Sequence, residues 1–251
     1  MTTSLPNGPR RFTMHDLLNR KKLTLLVTDS MSGQDAVRSA KELCRQLELS
    51  SDLAAAGAAE ADDFPVFVPP RFLARIRRGD PKDPLLRQVL PIAGENATTD
   101  GFSRDPVDDA AASLQPGVLQ KYSGRVLLIT TGACAVHCRY CFRRHFPYAL
   151  DHSQNGKWKN WLRTIRNDSS IEEVILSGGD PLTVSDSTLA AFVTKLEEIA
   201  HVKRLRIHTR FPVVIPQRIT PEFVSWMESS RLATFVVLHI NHAQEIDTAV
   251  E

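Results

Sequence analysis

The chain has 251 residues, 42% of them hydrophobic and 24% charged, with a formal net charge of +2. That length suits one large α/β unit or two smaller ones, and a near-neutral chain without a long basic run excludes a nucleic-acid partner chosen by charge. The opening MTTSLPNGPRRF reads against a signal peptide, no window reaches the roughly 18 apolar residues of a membrane span, and a reducing cytoplasm is the expected compartment.

In chain order, residues 1–124 are expected to form a mainly helical and wrapping segment. Helix patterns lie at 14–22, 33–49 and 70–78, and an Ala-rich linker or loose helix at 53–61. Between 81 and 116 recurrent Pro, Gly, Asp and Asn predict irregular chain. From residue 125 the texture changes. RVLLITT (125–131), EEVILSGG (172–179), RLRIHTR (204–210) and ATFVVLHIN (233–241) read as strands, separated by helical patterns at 155–167, 185–200 and near 220–230. Apolar strands alternating with helices predict a parallel sheet covered by helices, an α/β domain over 125–251.

In such folds functional groups gather where strands end. Here four polar clusters follow the four strands: the cysteine loop, SGGDPL, HTRFPVV and HINH, all expected on one rim. Three of the chain's four cysteines, Cys134, Cys138 and Cys141, share the first loop, and Cys44 lies apart. Three thiolates so close together can grip one metal centre, and the interleaved His137, Arg139, Arg143 and Arg144 favour the thiolate form. Two ligand sets stay open on spacing alone: zinc closed by His137 or His145, or an iron–sulfur cluster with one open iron. Gly178 and Gly179 permit close backbone approach, and Asp180 can cap a helix or accept from an ammonium group. The Arg143 guanidinium suits a bidentate carboxylate clamp. His208, Arg210, His239, Asn241 and His242 point to the same rim without an assigned role.

The C-x3-C-x2-C spacing after a first strand, with Tyr140 before the last cysteine, is similar to the signature of radical S-adenosylmethionine (SAM) enzymes. CRYCFRRHFPY, SGGDPL, RLRIHTRFPVVIPQRIT and HINHAQEID resemble the lysine 2,3-aminomutase family. PLLRQVLP, GFSRDP and PGVLQKYSGRVLL resemble its short branch, which performs (R)-β-lysylation of elongation factor P. The resemblance runs from about residue 72 to the chain end. It implies a partial (β/α) barrel in which Cys134, Cys138 and Cys141 hold a 4Fe–4S cluster that binds SAM. Ser177, Gly178, Gly179 and Asp180 would lie along the methionine moiety. Lys121, Tyr122 and Arg125 would contact the phosphate of pyridoxal phosphate; relatives commonly carry arginine where Lys121 stands, so the bidentate fork is lost. Arg143 would grip the substrate carboxylate.

The implied activity is an isomerase converting L-lysine to (R)-β-lysine. It would need a one-electron reductant protein, and a separate ligase would pass the product to elongation factor P. A glutamate or other amino-acid 2,3-aminomutase is the alternative of the same chemistry. A noncatalytic zinc or iron–sulfur binding module is the alternative of a different class. Relatives carry further βα units, and no lysine follows Lys203 here. The lysine that anchors pyridoxal phosphate is therefore expected beyond Glu251, AQEIDTAVE is expected to open another helix, and the 251-residue form is expected to be a fragment with an open sheet edge and little mutase activity.

Overall fold

The computed structural model describes residues 35–60, 64–95, 97, 99–148 and 154–251. The helix expected at 14–22 lies outside them. Six strands form one sheet in chain order: β1 (Ser113–Gln115), β2 (Val118–Leu119), β3 (Arg125–Thr131), β4 (Glu173–Gly178), β5 (Arg204–Thr209) and β6 (Ala233–Leu238). The strands β3 to β6 are mutually parallel, and the register aligns their starts, Arg125 with Glu173, Arg204 and Ala233. Their C-terminal ends therefore share one rim. All four expected strands are present, with ends displaced by at most a few residues. The β1–β2 hairpin was not expected. Its strands are too short to show alternation, and only the Pro116–Gly117 turn, with Gly117 at φ +77°, marks it.

The sheet is open and the fold is mixed α/β, a partial barrel rather than a closed one. Among the described residues the outer edge of β6 has no partner strand. One face buries Val126, Leu128, Val174, Leu176, Leu205 and Ile207 against the helices that connect the strands. These are α4 (Gln154–Asn167), α5 (Asp186–Glu197) and α7 (Pro221–Glu228). The opening of α5 follows from Ser185, whose hydroxyl caps the Thr188 N–H, and its stripe Leu189, Phe192, Val193 and Leu196 enters the core. The helix α7 starts on a Thr220 cap with Pro221 in its first turn.

The opposite face is polar along β5: Arg204, Arg206 and His208 alternate with the buried Leu205 and Ile207. Glu173 neutralises its lower end, 2.9 Å from Arg206 Nη2 and 3.5 Å from Arg204 Nε.

Ahead of the sheet stand α1 (Ala40–Gln46), α2 (Ser51–Glu60) and α3 (Pro70–Leu73). The pattern at 33–49 yields only α1, because Ser39 caps its start and Glu48 adopts φ +57° just past its end. The Ala-rich stretch is a helix, and the pattern at 70–78 shrinks to one turn. One hydrophobic core runs continuously from Val37 and Leu43 through Phe72 and Leu86 to Val126 and Leu176. The final stretch departs from expectation: Ala243–Glu245 forms a single 3-10 turn rather than opening a helix. Glu245 is wholly buried there, and Asp247 pairs with Arg71 at 2.8 Å. Two short α- and 3-10 turns, α6 (Phe211–Val214) and Pro216–Arg218, follow β5.

Candidate active site

The rim is assembled by backbone contact between two loops. Gly179 and Asp180 donate their N–H groups to the carbonyls of Thr131 and Ala133, each at 2.7 Å. A methyl group on Gly178, which has φ +121°, would stand 2.5 Å from the Thr131 oxygen, and one on Gly179 would stand 2.2 Å from the Ala133 oxygen. Only residues without Cβ let the SGGD turn dock flush against the start of the cysteine loop. Gly179→Ala is expected to push the loops apart and to cost about 1–3 kcal/mol, the range for overpacking. A urea melt indistinguishable from wild type would show that the docking is not tight.

Asp180 is the fastener behind that turn. One carboxylate oxygen accepts from Leu182 N–H (3.0 Å) and the Thr209 hydroxyl (2.6 Å), and the other accepts from Arg210 N–H (2.7 Å). Both oxygens thus tie the β4 loop to the end of β5, and of its two expected roles the capping one is realised. Burial pushes its pKa up to about 6 against the pull of those hydrogen bonds. Since the folded pKa lies above the unfolded value of 3.8, the folded state binds more protons between pH 4 and 6. Raising pH through that window therefore lowers stability, by about 3 kcal/mol at 1.36 kcal/mol per unit. The advantage of wild type over Asp180→Asn is expected to shrink between pH 4 and pH 7 in paired urea melts; an advantage that grows would reverse the sign.

The cysteine loop is braced from residues 64–95, which include the helix pattern expected at 70–78 and the start of the irregular chain expected from 81. His137 N–H donates to Phe67 O at 3.0 Å and Arg139 N–H to Gln88 O at 2.8 Å. The His137 ring lies between Phe64 and Phe67 with Nδ1 2.7 Å from Pro65 O. Glu95 takes both Arg139 (Nε, 3.1 Å) and Arg144 (Nη1, 3.0 Å). None of the four cysteines is in a disulfide, and the three loop thiols are half-buried.

Among the described residues no group of three or more His, Cys, Asp or Glu side chains is placed to hold a metal ion. Three thiols on one rim loop, with a guanidinium nitrogen 2.7 Å from Cys138 Sγ, are a donor set that fits the cluster. Cys44 does not belong to it: it sits in the core, and burial pushes its thiol pKa up.

Below the loop, one carboxylate organises two expected ligand contacts. Asp109 is 2.7 Å from Lys121 Nζ through one oxygen and 2.7 Å from Arg143 Nε through the other. Arg143 also donates to Ser177 Oγ at 3.2 Å and covers the Phe142 ring. Lys121, Asp109, Arg143 and Ser177 thus form one chain of contacts. Tyr122 and Arg125 stay outside it. They are exposed, stack on each other at 5.7 Å, and Arg125 begins β3, about 20 Å from its rim end at 3.3 Å per residue. The three expected phosphate contacts do not form a cradle here. His208 lies on the inner face with its pKa lowered by burial and by the Arg206 and Arg143 cations, and its Nε2 is buried without a partner. His239 is likewise lowered, by burial and Arg210, and its ring meets Tyr140 edge-on.

Residues 128–245 match the Radical SAM superfamily. The chain is 46% identical to an L-lysine 2,3-aminomutase of Haemophilus influenzae over 214 residues, 85% of this chain and 63% of that protein. It carries a radical SAM domain over residues 128–245, with L-lysine 2,3-aminomutases as its relatives. The L-lysine 2,3-aminomutase of Escherichia coli is 45% identical over 85% of this chain and 62% of its own length. That of Clostridium subterminale is 35% identical over 85% and 51%. The chain thus spans less than two thirds of the length of these relatives. The superfamily implies a 4Fe–4S cluster and SAM, which agrees with the thiol set above. The radical SAM region runs from the middle of β3 to Glu245, so it contains all three loop cysteines and both members of the Arg210–Glu245 pair. Asp109, Gln88 and Glu245 were not singled out from sequence. Arg143 lies 34 residues from Asp109, Arg210 lies 35 from Glu245 and Gln88 lies 157 from Glu245, and no local pattern announces these pairings.

Proposed function

We propose that this chain binds a 4Fe–4S cluster through Cys134, Cys138 and Cys141 and belongs to an isomerase that converts L-lysine to (R)-β-lysine. The observation that carries the reading is the docking of the glycine turn on the cysteine loop, at a rim of a parallel sheet where three half-buried thiols and several buried arginines gather. When bound and reduced, the cluster and SAM supply a radical able to remove hydrogen from an unactivated carbon. The chain's own residues bind and orient. Gly178 and Gly179 hold the loop against the rim, Ser177 and Asp109 aim the Arg143 guanidinium, and that fork suits a substrate carboxylate. His208, whose pKa is lowered by burial and by the Arg206 and Arg143 cations, presents an unpartnered Nε2 on the inner face.

Lysine as substrate rests on the relatives' names and the family resemblance. Pyridoxal phosphate dependence, a one-electron reductant protein, the supply of (R)-β-lysine to elongation factor P through a ligase, and a cytoplasmic setting are proposed on the resemblance. Of the expected phosphate contacts, Lys121 alone joins Arg143, through Asp109, among the described residues. No helix among the described residues is long and apolar enough to cross a membrane.

Anaerobic reconstitution with iron and sulfide tests the reading. A brown chain with a full 4Fe–4S complement, whose reduced electron paramagnetic resonance signal changes on adding SAM, is the expected result. A colourless product holding zinc would sink it. Product analysis with lysine, glutamate and arginine then separates the aminomutases.

A further inference from the structure

Three arginines of the cysteine loop pair with carboxylates from the segment before the sheet's parallel strands. Arg139 and Arg144 converge on Glu95, and Arg143 turns to Asp109 and Ser177. Arg210 differs. It stands where β5 ends, its backbone N–H fixed by Asp180, and its guanidinium is buried with Nη1 2.7 Å from Cys138 Sγ. The other terminal nitrogen donates to Glu245 Oε2 at 3.0 Å and to Gln88 Oε1. Phe72 and Tyr140 flank the charge, with ring centroids 5.3 and 6.0 Å away. Glu245 is wholly buried, and it also accepts from Gln88 Nε2 at 2.7 Å and from Asn241 N–H at 3.3 Å.

A buried ion pair of this kind is a costly way to stabilise a fold, since two apolar side chains of similar volume would serve as well. Its geometry has a specific outcome instead: it aims a positive N–H donor at one sulfur and sets a fixed negative charge directly behind it.

We propose that Arg210 and Glu245 set the reduction potential of the cluster, Arg210 as a positioning residue that acts through the Cys138 sulfur. The inference rests on the reading of the loop cysteines as cluster ligands. One-electron reduction adds negative charge to the cluster and its thiolate sulfurs. A guanidinium donating to one of those sulfurs stabilises the reduced form more than the oxidised form and raises the potential. Glu245 opposes that effect from the far side of the same guanidinium, and in a buried, low-dielectric setting both influences are strong. The pair therefore acts as a push and a counter-push on a single sulfur, and its two halves have opposite signs.

That opposition gives the test. Wild type, Arg210→Met and Glu245→Gln are reconstituted anaerobically, and the reduced signal is titrated against potential by electron paramagnetic resonance without SAM. The expected midpoint falls below wild type in Arg210→Met and rises above it in Glu245→Gln. A structural role alone does not move the two variants in opposite directions. Glu245→Gln is isosteric and retains the acceptor for Arg210, so it reports even where Arg210→Met fails to fold. A cluster-bearing Glu245→Gln with an unmoved or lowered midpoint overturns the inference by itself, as does a rise in Arg210→Met. A wild-type chain that takes up no cluster overturns both this inference and the ligand assignment beneath it.

Discussion

Cys138→Ser is expected to leave the reconstituted chain without its 4Fe–4S cluster, and Cys134→Ser and Cys141→Ser are expected to do the same. The three thiols sit on one loop, and losing one leaves a cubane with too few protein ligands; serine's alkoxide is a far poorer ligand for iron at neutral pH than a thiolate. Cys44→Ser is the internal control. Its side chain is buried in the same hydrophobic core as Leu43 and Leu47, so iron uptake is expected to equal wild type, with a cost only in melting temperature. Iron and sulfide analysis after desalting decides the matter. Full retention in any of the three loop variants removes that cysteine from the ligand set, and loss in Cys44→Ser moves the site elsewhere.

Asp109→Ala is expected to destabilise the chain by about 3–5 kcal/mol, the range for removing one partner of a buried ion pair. The carboxylate is nearly inaccessible and holds two cations; Arg143 is buried with it, whereas Lys121 is about a third exposed and contributes less. Asp109→Asn keeps one acceptor and the shape, so its cost is expected to be smaller and to fall mainly on the orientation of Arg143. Urea unfolding of the three proteins checks the order wild type, Asn, Ala. A change below about 1 kcal/mol in Asp109→Ala would place the pair among surface ion pairs instead.

The β/α order of the second half was legible because each of its strands is a run of apolar, β-branched residues bounded by turn formers, and because Ser185 and Thr220 announce the helices after them. Even β5, which alternates as RLRIHT, keeps its buried positions two apart. The cysteine loop and the glycine turn were legible as motifs, and their shared rim followed from the parallel order. Four features were not. The β1–β2 hairpin has strands of three and two residues, too short to show a period. Gly178 and Gly179 were read as permitting close backbone approach, but that this approach joins them to the backbone at Thr131 and Ala133 was not. Asp109, Gln88 and Glu245 act by charge and hydrogen bonding across long sequence distances, and such pairing leaves no local trace. AQEID has the acidic texture of a helix start, yet Glu245 and Asp247 are drawn back to Arg210 and Arg71, and that attraction decides the conformation.

The bracing of the cysteine loop by residues 64–95 bears on what a minimal version of this protein would contain. A piece excised from residue 125 onward would keep every thiol of the motif and every parallel strand. It would lose the Phe67 and Gln88 carbonyls, the Glu95 anchor and the Phe64–Phe67 slot that grips His137, so the loop would be left to wander. The shortest segment that a sequence comparison picks out and the shortest segment able to keep three sulfurs in place are thus different lengths of polypeptide.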